Sequence, residues 1–268
     1  MISRRWLINY VLILLIVVFT FIGNRFNVQT GYQPENSIST LKPQDIKQVR
    51  IQTADETIQL SKTEGSWLIE SPVLWQANNI AVERIIGIVN AETDSRLPSD
   101  EIDLSTLGLQ IPTAVLTLNQ SQFLFGATNN IGERRYLQNN DTVFLLEDRY
   151  LPLLAQGIPG LIDRRLLPRA LPLARLKIGS TVFDKNADEI IKHWQTLEAA
   201  QVKPYQPGQT PMQKIIAVLD NGGEIEFYQM AITPKIILAR PDLGLQYYFH
   251  ESHYYGLLAA PKDETTAN

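Results

Sequence analysis

His250-Glu251-Ser252-His253 sets two imidazoles and a carboxylate within four residues, a donor set suited to zinc or iron. The spacing is not the His-Glu-x-x-His of zinc proteases, in which both histidines share one helix face. No third ligand is marked, and the motif falls where a strand gives way to a turn. His250 and His253 are therefore the candidate metal ligands, but a structural role at a strand end is the expectation for both, with no metal bound. The third histidine, His193, lies beside the apolar face of a predicted helix and reads as a surface or interface residue.

Other chemistries lack their residues. The chain has no cysteine, which excludes disulfides, thiolate metal sites and Cys nucleophiles. No nucleophile elbow, Ser-x-x-Lys pair, phosphate-binding loop or dinucleotide fingerprint is present. Asn221-Gly222-Gly223-Glu224 is a turn and not a phosphate cradle, because no helix follows it. The carboxylate pairs Asp100/Glu101, Glu147/Asp148 and Asp188/Glu189 sit beside caps and turns. The expectation is that no residue is catalytic and that no cofactor is held. Tyr247-Tyr248-Phe249 with Tyr254-Tyr255 has the composition of a binding groove, but aromatic strand cores are commoner. A formal charge of −4 offers no electrostatic footprint for nucleic acid, so none is expected as a partner. Arg134-Arg135 and Arg164-Arg165 read as solvated faces or local ion pairs.

The elements that position these residues recur along the chain. Val49 to Gln52, Thr57 to Leu60 and Trp67 to Ile69 are strand-like, separated by polar turns. Asn78 or Asn79 then caps a helix whose Val82, Ile85, Ile86 and Val89 form one apolar stripe. Two hairpins follow, Ala114–Leu118 with Gln122–Phe125 and Arg135–Leu137 with Thr142–Leu146, and a helical turn begins at Tyr150. Further on, Asn186 with Glu189 resembles a capping box, opening a helix with Ala187, Ile190, Ile191, Trp194 and Leu197 on one face. Ile215–Leu219 and Glu224–Tyr228 flank Asn221-Gly222-Gly223, the strongest hairpin turn in the chain. Lys235–Ala239 and Gln246–Phe249 follow. Tyr150-x-x-Leu-Leu-Ala and Tyr254-x-x-Leu-Leu-Ala lie 104 positions apart, near the offset of the hairpins, and matching element order points to duplication.

The expected fold class is α+β: an N-terminal transmembrane helix followed by two related lobes, each of antiparallel strands with one packed helix. Nineteen residues between Arg5 and Arg25 carry no formal charge, enough to span a bilayer as a helix. A cleaved signal would have a shorter apolar run, about 7–15 residues, ending in small residues at alternate positions. Thr20-Phe21-Ile22-Gly23-Asn24 offers no such pair. Arg4-Arg5 before the span orients the N-terminus to the cytoplasm. The expected organisation is 1–5 cytoplasmic, 6–24 transmembrane anchor, 25–44 tether, 45–156 first lobe, 157–172 proline-rich linker, 173–260 second, diverged lobe and 261–268 polar tail. The second lobe lacks room for a counterpart of the strand carrying Trp67. An apolar content of 44% with 19% charged residues suits folded lobes of this size.

Trp67-Leu68-Ile69-Glu70-Ser71-Pro72, Leu107-Gly108-Leu109-Gln110-Ile111-Pro112 and Leu161-Ile162-Asp163-Arg164-Arg165-Leu166-Leu167 resemble the pattern of domain-of-unknown-function family 4340. That pattern is a Trp-containing strand ending in Pro, a helix, a Gly-Leu-x-x-Pro lead-in to a hairpin and a basic Leu-Leu exit. The resemblance covers roughly Ile46 to Leu167. It implies a membrane-anchored envelope protein of bacteria, single-pass in the inner membrane with its bulk periplasmic or extracytoplasmic. It further implies an accessory role near an ABC-type transport complex, and it supplies no catalytic residues. The leading expectation is a non-catalytic protein that binds or positions a protein partner, touching membrane lipid through its anchor. The alternatives are a carrier or sensor of an apolar or glycan ligand, which needs a continuous apolar cleft, and an envelope hydrolase, which needs convergent carboxylates or a metal at His250 and His253.

Overall fold

The computed structural model describes residues 36–129, 132–184 and 188–259. Among these no helix is long and apolar enough to cross a membrane, and the span expected at 6–24 lies outside them. The described chain forms two antiparallel sheets with a few short helices. The first sheet has nine strands: β1 (Gln48–Thr53), β2 (Thr57–Thr63), β3 (Ser66–Ser71), β4 (Trp75–Gln76), β5 (Arg96–Pro98), β6 (Ala114–Leu118), β7 (Ser121–Thr128), β8 (Arg134–Asn139) and β9 (Thr142–Glu147). Their spatial order is β4-β3-β2-β1-β6-β7-β8-β9-β5. The second has seven: β10 (Leu173–Ile178), β11 (Thr181–Asp184), β12 (Gln201–Pro204), β13 (Gln213–Leu219), β14 (Glu224–Ala231), β15 (Lys235–Arg240) and β16 (Leu245–His250), ordered β11-β10-β13-β14-β15-β16-β12.

The two orders match strand for strand once β3 and β4 are removed from the first. β1 and β2 correspond to β10 and β11, β5 to β12, and the meander β6 to β9 to β13 to β16. In both sheets a helix precedes the short strand that returns to the far edge. These are α1 (Asn79–Ile86) in the first and α4 (Asp188–Thr196) in the second. Between the sheets lie α2 (Leu151–Leu154) and α3 (Gly157–Leu161), and α5 (Tyr254–Leu257) follows β16.

Period-two alternation fixes which face of each strand is dry. Ala114, Leu116 and Leu118 of β6 and Ile215, Ala217 and Leu219 of β13 are buried, with the residues between them half-buried. The Asn119 turn between β6 and β7 sits at φ 53, a left-handed conformation that Asn tolerates. Its side-chain oxygen accepts the N–H groups of Lys47 and Gln48, pinning the start of β1.

Asn78 caps α1 by accepting the Ala81 N–H at 3.2 Å, and Asn79 accepts the Trp67 N–H at 2.9 Å, which ties the helix to β3. Val82, Ile85 and Ile86 are buried, and a 3-10 turn at Gly87–Asn90 carries Val89 inward as well, so the expected stripe is complete. Trp67 is buried, as expected. In α4, Ile190, Ile191 and Trp194 are buried, and Leu197, just past its end, is half-buried. Trp194 meets Phe227 edge-on at 5.1 Å, and its indole N–H donates to the Leu257 carbonyl at 2.8 Å. Asn186 and Ala187 of the expected cap fall outside the described residues.

Two segments expected as connectors are packed. In the tether, Ile38 is buried, Ser37 bridges Glu92, and the buried Asn139 amide donates to the Ile38 carbonyl at 3.0 Å. Residues 36–44 thus belong to the first sheet's body, because one apolar side chain and a satisfied amide hold them there. The proline-rich segment 157–172 is also internal: Ile158, Leu161, Ile162, Asp163, Leu166 and Leu167 are buried. Its backbone joins the two sheets. Asn78 N–H donates to Leu161 O and Asp163 N–H to Gln76 O, beside β4, while Ala199 N–H donates to Arg164 O, just before β12. A strand-like rung therefore runs between the edge of one sheet and the edge of the other.

Candidate functional site

This junction is where the fold gathers its buried charge. Arg240, at the end of β15, is 3% exposed at its side chain and forms a two-pronged pair with Asp242 at 2.8 and 2.7 Å. Its guanidinium lies between two rings, 4.5 Å from the centre of Trp75 in β4 and 5.1 Å from that of Phe227 in β14. One side chain of the second sheet is thereby clamped onto the first. Burial pushes the Asp242 carboxyl upward, but hydrogen bonds and charge from Arg240 outweigh it and leave the group below its ordinary value. Beside it the buried Asp163 accepts from Arg169 at 2.8 Å and from the Arg165 N–H at 3.1 Å. The Tyr247 hydroxyl is buried there with no hydrogen-bond partner among the described residues, and burial raises it above the ordinary phenol range.

A hollow of about 650 Å³ opens along one side of the junction, between α1, the α2–α3 turn and the start of β12. Ile80, Ala81, Arg84, Gln156, Pro159, Arg164, Gln201 and Val202 line it. Ile80 is 64% exposed at its rim. Arg164 and Arg165 both reach Glu198, at 3.5 and 3.4 Å, so two cations share one carboxylate. A second hollow, about 470 Å³, lies across the α3 segment and is lined by Glu56, Val73, Ile158, Pro159, Val202, Leu243 and Leu245 among others. Next to Val73, Leu74 is 69% exposed. Glu56 accepts the Ile158 N–H, and burial holds its carboxyl above the ordinary value against that bond, helped by the like charge of Asp55. Gly157 stands beside Glu56 at φ 60, a conformation and a closeness that no side chain would share.

The histidines are arranged differently from their sequence neighbourhood. His250 Nδ1 meets the Ser252 hydroxyl at 2.9 Å and accepts the Ser252 N–H at 3.2 Å, closing the turn after β16. His253 instead faces His193 of α4, ring centres 6.4 Å apart. Burial first, then the charges of His193 and His250, hold His253 below its ordinary value. Among the described residues no group of three or more His, Asp or Glu is placed to hold a metal ion. The aromatic run divides by strand alternation: Tyr247 and Phe249 are core, and the half-buried Tyr248 carries Lys203 over its ring at 5.2 Å. It lines neither hollow at the junction. Sequence reasoning missed Arg240, Asp163, Trp75 and Tyr247 as one cluster. Their only local signal was Arg240-Pro241-Asp242, which reads as a turn.

Two antiparallel sheets of matching strand order, fused edge to edge through a buried rung and a stacked arginine, define a two-lobed β protein with a groove at its waist. The family model described as Domain of unknown function (DUF4340) matches residues 67–189. The match opens at the Trp67 strand and runs through the junction and β11 into α4, so the family's unit crosses both lobes. No curated protein and no solved structure matches the chain.

Proposed function

We propose that this is a non-catalytic, single-pass envelope protein, held in the bacterial inner membrane by residues 6–24, whose exported lobes bind a protein partner along the junction groove. An ABC-type transport complex is the partner class that the family resemblance favours. The observation carrying the reading is the larger hollow beside α1. Its wall alternates Ile80 and Val202 with Arg84, Gln156, Arg164 and Gln201, the mix of apolar anchor and polar rim found at protein interfaces. A carrier of an apolar ligand would need a continuous apolar cleft, and this wall is interrupted by charge.

The matching strand orders support reading the lobes as copies of one ancestral unit, the second having lost the β3–β4 hairpin. An experimental structure in which superposing β6–β9 on β13–β16 left α1 and α4 on unrelated sides would refute it. For the partner, a photo-reactive residue at Ile80 in the full-length, membrane-embedded chain should cross-link to a membrane transport component, while one at Ile111 on the first lobe should not. Recovery of lipid or glycan at Ile80 in place of protein would favour the carrier reading. A cytoplasm-only reporter fused after Asn268 should be silent; a strong signal would reverse the topology.

A further inference from the structure

The hollow beside α1 is unbalanced in charge. Its lining holds Arg84 and Arg164 and no carboxylate, in a chain that carries 28 acidic residues to 24 basic ones. The hollow of about 480 Å³ beside β9 differs, because Glu92, Asp94 and Glu147 line it together with Arg134 and Arg149. Arg84 is exposed and has no ion-pair partner among the described residues. Arg164 is fixed by its backbone, since its carbonyl accepts the Ala199 N–H. Its guanidinium reaches Glu198 only at 3.5 Å and shares it with Arg165. The pairs Arg135–Asp148, Arg240–Asp242 and Arg169–Asp163 close instead to 2.6, 2.7 and 2.8 Å. The Arg164 Nε is buried with no hydrogen-bond partner among the described residues, so this cation is short of acceptors within its own chain.

We propose that the segment docking in this hollow is acidic: a stretch of the protein partner that seats an apolar side chain against Ile80 and offers carboxylates to Arg84 and Arg164. This assignment rests on reading the hollow as the partner's docking site. Ile80 and Arg84 are one turn apart on α1, so they stand on one helix face with roughly 6 Å between them. The exposed Ile80 is an apolar anchor left for another surface to cover. A carboxylate close in sequence to the partner's apolar residue can then meet Arg84 in the two-pronged geometry a guanidinium prefers. Arg164 comes from a separate wall, the rung between the sheets. The other polar groups of the lining are the amides of Gln156, Gln201 and Asn78, and the Asn78 oxygen is spent on capping α1, which leaves its N–H groups. A basic segment would meet two cations with no carboxylate in the lining to answer it, so the wall selects against one.

The test uses the full-length chain in its membrane, with a photo-reactive residue at Ile80. After digestion, the cross-linked peptide of the captured protein should carry Asp or Glu within about four residues of the attachment point. Arg84→Glu and Arg164→Glu should each cut the cross-link yield about tenfold, the loss of one charge-assisted hydrogen bond. Arg50→Glu, on the exposed side of β1, should leave it unchanged. Arg84→Gln serves the same purpose if an acid in the last turn of α1 disturbs the helix. Replacing the captured carboxylate residue with Lys should restore the yield against Arg84→Glu. Protein captured with a yield that neither charge reversal lowers, or through a peptide without Asp or Glu, overturns the acidic segment and leaves the docking site standing. Lipid at Ile80, or no protein, overturns both.

Discussion

Replacing Arg240 tests what holds the two lobes together. Arg240→Ala removes a desolvated cation from the faces of Trp75 and Phe227, contacts worth about 1 kcal/mol each in such surroundings. It also empties the space of the buried side-chain stem, roughly 1 kcal/mol of lost packing. Asp242 loses its partner, but its side chain is 56% exposed and water takes over, so the penalty of a stranded buried charge largely disappears. The sum is about 3 kcal/mol. For a body of this size that lowers the melting temperature by roughly 6–12 °C. Arg240→Met keeps an apolar chain between the rings and should cost about 1–2 kcal/mol. Urea unfolding of the purified chain, followed by tryptophan emission, reads both lobes at once, because Trp75 lies in the first and Trp194 in the second. An Arg240→Ala cost below about 1 kcal/mol would refute the clamp. A Met variant as unstable as Ala would show that the ion pair, and not the stacking, carries the energy.

Trp67 and Trp194 are both buried, yet the Trp67 indole N–H has no hydrogen-bond partner among the described residues while that of Trp194 donates to Leu257. Trp194→Phe should therefore cost about 2–3 kcal/mol and Trp67→Phe about 1 kcal/mol, and equal costs in the same urea assay would contradict this. Because the folded-state pKa of Glu56 is raised, its contribution is full below the ordinary carboxylate range and is lost as pH rises through the elevated value. Glu56→Gln should abolish that decline. A wild type and variant whose stabilities run parallel across this window would rule it out. Replacing both His250 and His253 with Gln should leave partner cross-linking intact. One zinc or iron per wild-type chain by elemental analysis, lost in the double variant, would instead promote the hydrolase reading.

Local periodicity was enough to read the meanders and the helices from the sequence. Ala114–Leu118 or Ile215–Leu219 alternates strictly, and Val82, Ile85 and Ile86 keep helical spacing, so each residue's own neighbours settle its face. The same holds for a cap at Asn78 or Asn79, of which the structure uses Asn78, and for Asn221-Gly222-Gly223 as a turn. Besides β10 and β11, which were not read as strands, what escaped were the pieces whose conformation is imposed from outside. β4, β5 and β12 are two to four residues long and exist because another strand stands beside them. Residues 36–44 and 157–172 look like polar or proline-broken connectors, and only burial of Ile38, Ile162 and Leu166 by distant elements makes them interior. The junction cluster is the extreme case. Trp75, Asp163, Phe227 and Arg240 come from four separate stretches, and no periodicity links them. Which cation stacks on which ring depends on how two sheets meet edge to edge. That is fixed by the rung at Ile162–Arg165, a long-range pairing whose hydrogen bonds are satisfied only after both lobes have formed.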